Sequence, residues 1–248
     1  MVDINCDMGE GMETDALLMP YITSANIACG YHAGDYATIR HTIDLCKDYN
    51  VLVGVHPSFN DKSNFGRKEL HLSDAELFSL ITEQLLFFAS IANQAGITIN
   101  HVKPHGALYN MAARSLDMST IIAKAVFDFD QDLVLYGLAG SNLIKAGIKT
   151  GLKTMSEVFA DRTYKSDGSL VSRNDPGAVV QSPENAVRQV LQMVNENKVT
   201  AVNGNEIYIE ADTVCIHGDT ENAVAIAKAV CNVLRKLGHL KAGIDPFN

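Results

Sequence analysis

The chain reads as one α/β domain whose parallel strands close into a barrel, and two observations lead there. Seven short β-rich runs alternate with segments of helical apolar spacing along its 248 residues. Nearly every run also ends in polar, chemically useful side chains, as expected when the carboxyl ends of strands converge on one mouth. An open doubly wound sheet alternates in the same way but gathers its polar chemistry at a single switch point. The closed barrel is therefore the expectation.

In chain order the expected strands cover residues 2–7, 24–29, 51–56, 98–104, 133–137, 153–159 and 213–217. Ile39, Ile43 and Cys46 share one face of the helix after the second strand. Ser73-Asp-Ala-Glu76 forms a capping box that opens a long helix to about Ala95. Ser182-Pro183-Glu184 starts another, with proline in the first turn where no backbone donor is needed. Two segments interrupt the alternation. Residues 164–176, with Asp167-Gly168 inside, predict a hairpin projecting over the mouth, and residues 199–210 predict a second, turned by a type I′ Asn203-Gly204. No linker composition or internal repeat divides the chain, so a single domain spanning 1–248 is expected.

Composition narrows the partners. Hydrophobic residues make up 47% of the chain, enough for a sizeable core. The longest apolar stretches break before the roughly 18 residues that a membrane span needs, so no membrane association is expected. The amino terminus lacks the basic start and apolar core of a signal peptide, which makes the cytoplasm the expected location. With 29 acidic against 20 basic residues, the net charge of −9 argues against nucleic acid as a partner. Five cysteines without C-x-x-C spacing read as reduced core residues, although Cys6, Cys29 and Cys215 lie near strand ends where a nucleophilic thiol would also stand.

The strand ends carry the chemistry. Asp7 and Glu10 flank Gly9 past the first strand, a pair able to divide acid and base roles. Glycines bracket His32, and Asp35 stands where it would cap the next helix. His56 closes the third strand as a ligand or proton carrier. Alternation then puts His101, Lys103 and His105 on one side of the fourth, and a buried Lys103 requires a partner such as Asp7, Glu157 or an anionic substrate. Gly137-Leu-Ala-Gly140-Ser141 is a possible anion nest, but no P-loop for ATP occurs. Glu157, Asp161 and Arg162 follow the sixth strand, Arg173 adds a second cation, and His217-Gly-Asp219 closes the circuit. His217 with His56 and His105 could also bind a metal, although no short zinc signature settles it.

Taken together, Asp3-Ile-Asn-Cys-Asp-Met-Gly-Glu-Gly11, Ser24-Ala-Asn-Ile-Ala-Cys-Gly-Tyr-His-Ala-Gly-Asp35, Val102-Lys-Pro-His-Gly-Ala-Leu-Tyr109, Glu157-Val-Phe-Ala-Asp-Arg162 and Val214-Cys-Ile-His-Gly-Asp219 closely resemble the LamB/YcsF family over nearly the whole chain. Two places depart from the family's usual pattern: Met12-Glu13 replaces an aromatic-glycine pair, and Ser58 replaces a glycine. The resemblance implies a distorted seven-stranded β/α barrel of the glycoside hydrolase/deacetylase type. It also implies the A-subunit role in ATP-dependent cleavage of 5-oxoproline to L-glutamate, with Mg-ATP used by a complex containing two further subunits, B and C. On that reading Arg162 or Arg173 holds the substrate carboxylate, with His32, His56, His217 and Asp219 lining the substrate site. Lys103 stabilises developing negative charge, and Asp7, Glu10 or Glu157 works with His105 in acid/base chemistry. Two alternatives stand beside it: a self-sufficient metal-dependent amide hydrolase, and a non-catalytic subunit that only presents substrate.

Overall fold

The computed structural model describes residues 1–173 and 175–240, and in it seven parallel strands close into a barrel. They are β1 (Asp3–Met8), β2 (Ser24–Ala28), β3 (Leu52–His56), β4 (Ile99–Val102), β5 (Val134–Leu138), β6 (Lys153–Phe159) and β9 (Thr213–His217), which pairs with both β6 and β1. All seven expected strands are present, displaced by at most two residues at their ends. Residues 241–248 of the expected 1–248 domain lie outside the described residues, as does residue 174 within the expected first hairpin.

Helices cover the outside: α1 (Asp15–Leu18), α2 (Tyr36–Asp48), α3 (Asp74–Ala95), α4 (Gly106–Arg114), α5 (Leu116–Phe129), α6 (Asn142–Thr150), α7 (Pro183–Glu196) and α8 (Ala223–Lys236). Their starts are chemically specified. Asp35 accepts the Thr38 amide at the head of α2, Ser73 and Glu76 complete the capping box of α3, and Ser182 caps α7 ahead of Pro183. By length and composition alone, α3 is the one helix among the described residues that could cross a membrane, although Thr82-Glu83-Gln84 interrupts its apolar run as expected. Its buried face, from Leu77 through Ile81, Leu85 and Phe88 to Ala92, instead packs into the core of the protein.

The barrel is apolar outside and polar inside. On β1, Ile4, Cys6 and Met8 join the apolar core, whereas Asp3, Asn5 and Asp7 bond to polar groups of other strands. In-register neighbours continue these layers: Asp7 beside Asn26, Asn26 beside Gly54, and Gly54 beside His101. Gly54 permits that last contact, since a Cβ there would lie 2.0 Å from His101 Nε2.

Both predicted insertions turn back on themselves. The first has antiparallel bridges at Tyr164↔Leu170 and Arg162↔Val179. The second pairs β7 (Lys198–Thr200) with β8 (Glu206–Tyr208), but its turn is not type I′. A type I′ turn needs positive φ at both central residues. Asn203 is not among the positive-φ residues, Gly204 has φ +86°, and the Gly204 and Ala201 amides donate to Ala201 and Asn205 carbonyls, each at 2.8 Å. That is the pattern of a three-residue loop ending in a glycine bulge, for which Asn-Gly is equally suited.

Candidate active site

Lys103, just past β4, is the hub. Its Nζ lies 2.8 Å from Asp7 Oδ1 and 2.8 Å from Glu157 Oε1, with Asn5 Oδ1 at 3.3 Å and Cys215 Sγ at 3.2 Å. Burial disfavours the ammonium, but Asp7 and the other neighbours outweigh it and hold the Lys103 pKa well above its ordinary value. Lys103 is thus a fixed cation, unable to serve as a base. Burial likewise opposes ionisation of Asp7, but His56 and Lys103 prevail and keep its pKa well below the usual carboxylate range. Asp7 is therefore held as an anion, and it lines a cleft of about 750 Å³.

Glu157 plays a different part. It is fully buried behind Lys103, with Oε2 accepting from the Tyr109 hydroxyl at 2.6 Å. Glu157 is also absent from the cleft lining, whereas Asp7, though its oxygens are engaged by Lys103, Asn26 and His56, is part of it, and this separates the two as a base for a substrate in the cleft. Sequence reasoning misses Tyr109 as a member of this centre. Its place one turn into α4, just after His105-Gly106, is the available signal.

Across the cleft His217 Nδ1 lies 2.9 Å from Asp161 Oδ1, and Asp161 also accepts the His217 amide and the Thr220 hydroxyl. Burial would raise the Asp161 pKa, but His217 lowers it, so the group stays ionised. An anionic partner at Nδ1 fixes the proton there and leaves Nε2 as the basic nitrogen of a cleft-lining residue.

The two arginines diverge. Arg173 and Arg67 each place a nitrogen 2.8 Å from Asp219 Oδ2, forming an exposed clamp at the mouth, and Arg67 is a second residue that sequence reasoning misses. Arg162 is buried, lines the cleft and has no carboxylate at ion-pair distance among the described residues. It donates to the Val171 carbonyl, while its Nε finds no acceptor there. Burial, then Arg173, lower its pKa to about 10, leaving it a cation in search of an anion.

A second cluster lies beside Asp7. Glu10 Oε1 is 2.9 Å from His32 Nε2, 3.4 Å from His105 Nδ1 and 3.9 Å from His56 Nε2. The His32 and His105 rings stack with centroids 3.8 Å apart. Burial lowers the pKa of both, helped in His105 by His32 and opposed in His32 by Glu10. These four side chains could hold a cation. His217, which the sequence groups with His56 and His105, sits instead with Asp161, and His32 takes its place. The thiols are spectators: all five cysteines are buried and unbridged, and burial pushes Cys6, Cys29 and Cys215 far from ionisation.

Most of the expected residues thus gather around one cleft, which Asp7, Glu10, His56, Lys103, His105, Arg162, Arg173, His217 and Asp219 line. The LamB/YcsF family model matches residues 2–247. The chain belongs to this family. Its relatives include the 5-oxoprolinase A subunit from Tolumonas auensis, 50% identical over 98% of this chain and 97% of that protein. Its counterpart from Geobacillus thermodenitrificans is 49% identical over 96% and 94%. Among solved structures, the lactam utilization protein of Thermus thermophilus superposes with a TM-score of 0.89 at 38% identity, covering 96% of this LamB/YcsF chain and 97% of that one.

Proposed function

We propose that this chain is the A subunit of an ATP-dependent 5-oxoprolinase, a hydrolase that opens the ring of 5-oxoproline to give L-glutamate. The observation that carries the reading is near-full-length identity of about half to proteins of that name, in a chain whose cleft juxtaposes a base, a fixed cation and an unmatched guanidinium. The two further subunits, B and C, and Mg-ATP belong to the same proposal. A lactam carbonyl is a poor electrophile because the ring nitrogen donates into it, so the amide oxygen is phosphorylated first. With no P-loop in this chain, that step is given to the partner subunits.

The residues then take roles by position. Arg162 binds the substrate carboxylate as a charge-assisted pair. Asp7 removes a proton from the water that adds to the ring carbon, and Lys103 stabilises the negative charge that develops there. His217, once protonated and held by Asp161, gives its proton to the ring nitrogen as the C–N bond breaks, leaving the free amine of the product. A second water releases phosphate from the acyl phosphate so formed.

The test is glutamate release from 5-oxoproline with Mg-ATP, by this chain alone, by the partner subunits alone, and by all three together. Activity only in the full mixture is the expected result. Failure with folded, assembled partners, or full activity of this chain without ATP, contradicts the reading.

A further inference from the structure

We infer that Glu10, His32, His56 and His105 form a binding site for one divalent transition-metal ion of the zinc type. The inference stands apart from the oxoprolinase reading and rests on where the imidazole protons must be. His56 Nδ1 lies 2.6 Å from the Lys103 carbonyl and His105 Nε2 lies 2.9 Å from the Phe65 carbonyl. A carbonyl only accepts, so those nitrogens carry the protons. His32 Nδ1 lies 3.0 Å from Ser58 Oγ, whose single hydrogen is donated to the Phe59 carbonyl at 2.8 Å. The His32 proton is therefore on Nδ1 as well.

Every neutral ring in the cluster consequently turns a lone pair inward: His32 Nε2, His56 Nε2 and His105 Nδ1. These face one another and the carboxylates of Glu10 and Asp7, the latter with Oδ2 3.3 Å from His56 Nε2, and His56 Nε2 to His105 Nδ1 is only 3.0 Å. Acceptors repel at that distance unless a positive charge lies between them. Four of the six separations among these atoms run from 2.9 to 3.9 Å, and all six lie within 4.8 Å. Zinc bonds of about 2.0–2.1 Å at tetrahedral angles would set their ligands roughly 3.3 Å apart, inside that range.

The outer contacts also fit a metal site, because each ring's second nitrogen is held by a carbonyl or an anchored hydroxyl. Ser58 is itself fixed by Gln84 of α3, which accepts the Ser58 amide and donates to its carbonyl, each at 2.9 Å. The rival group of Asp7, Cys215 and His217 is a poorer candidate, since the Lys103 ammonium already contacts Asp7 and Cys215. Glu10, His56 and His105 line the cleft, which gives an ion a path in from solvent.

The competing explanation is a trapped proton, with one ring an imidazolium. Metal content of the full chain purified without added metal, followed by zinc and cobalt titration of chelator-stripped protein, distinguishes the two. About one equivalent is expected, with Kd below about 10 µM, a tetrahedral Co²⁺ spectrum lacking sulfur-to-cobalt charge transfer, and a melting temperature raised by zinc. Uptake should fall at least tenfold in His56→Gln and in Glu10→Gln. Folded wild-type protein that takes up neither ion overturns the inference, even if the variants misfold. So does a sulfur-to-cobalt band, which would place the ion at Cys215, or unchanged uptake in folded His56→Gln.

Discussion

The lower and upper halves of the barrel interior are built from the same residue types and differ in how far their polar groups are taken up by one another rather than turned to the cleft. At the amino ends of the strands, Asp3 accepts from Thr23, Ser24, Thr213 and Tyr136. Above it Asn5, Asn26 and His101 pass hydrogen bonds from strand to strand, with His101 Nδ1 left without a partner among the described residues, and burial lowers the His101 pKa to about 3, so the ring is neutral. At the carboxyl ends, Arg162 lacks a carboxylate, Asp7 opens onto the cleft and three imidazole lone pairs converge. A closed network specifies the barrel, whereas an open one is available to bind.

The largest effect that would test this contrast comes from Lys103→Met. It strands two carboxylates beside an apolar side chain, so the fold should lose about 3–5 kcal/mol in urea unfolding. Turnover of the folded fraction should also drop about a hundredfold or more. The folding cost arises chiefly at the fully buried Glu157, which loses its cation. Gly54→Ala, in the closed half, should cost about 1–3 kcal/mol by driving a methyl into the His101 ring. Its kcat should stay near wild type where the protein remains folded. Equal losses of kcat from this variant and from Lys103→Met would erase the distinction.

Arg162→Gln probes the open half more gently. Losing a charge-assisted pair should raise KM for 5-oxoproline about tenfold to a hundredfold, with a smaller change in kcat. An unchanged KM would remove Arg162 from carboxylate binding. The smallest effect concerns pH. Because the Asp161 pKa is depressed in the fold, its contribution is present above its unfolded value of about 3.9 and is lost as pH falls through the folded value. Asp161→Asn should therefore flatten the acid limb of stability measured by urea midpoints across pH.

Much of this is legible in the sequence because strand alternation and strand-end position are local properties. His101, Lys103 and His105 can be placed inside the barrel by counting twos, and Asp35 and Ser73 can be placed at helix heads by side-chain type. Pairing between distant strand ends is not legible. Nothing in residue spacing says that His217 joins Asp161 while His32 joins Glu10, or that Arg67 reaches Asp219 across 152 positions. Ser58, visible in the sequence only as a departure at the mouth, acquires meaning from its contact with His32.

The most direct measurement is the turnover of Asp7→Asn in the reconstituted three-subunit complex. The substitution preserves shape and leaves Lys103 paired with Glu157, so it removes the proposed base without leaving a buried charge unmatched. A fall in kcat of about a hundredfold or more, with urea midpoint and complex formation unchanged, is the predicted result. Turnover within about threefold of wild type, well short of what a lost base should cost, would contradict the account.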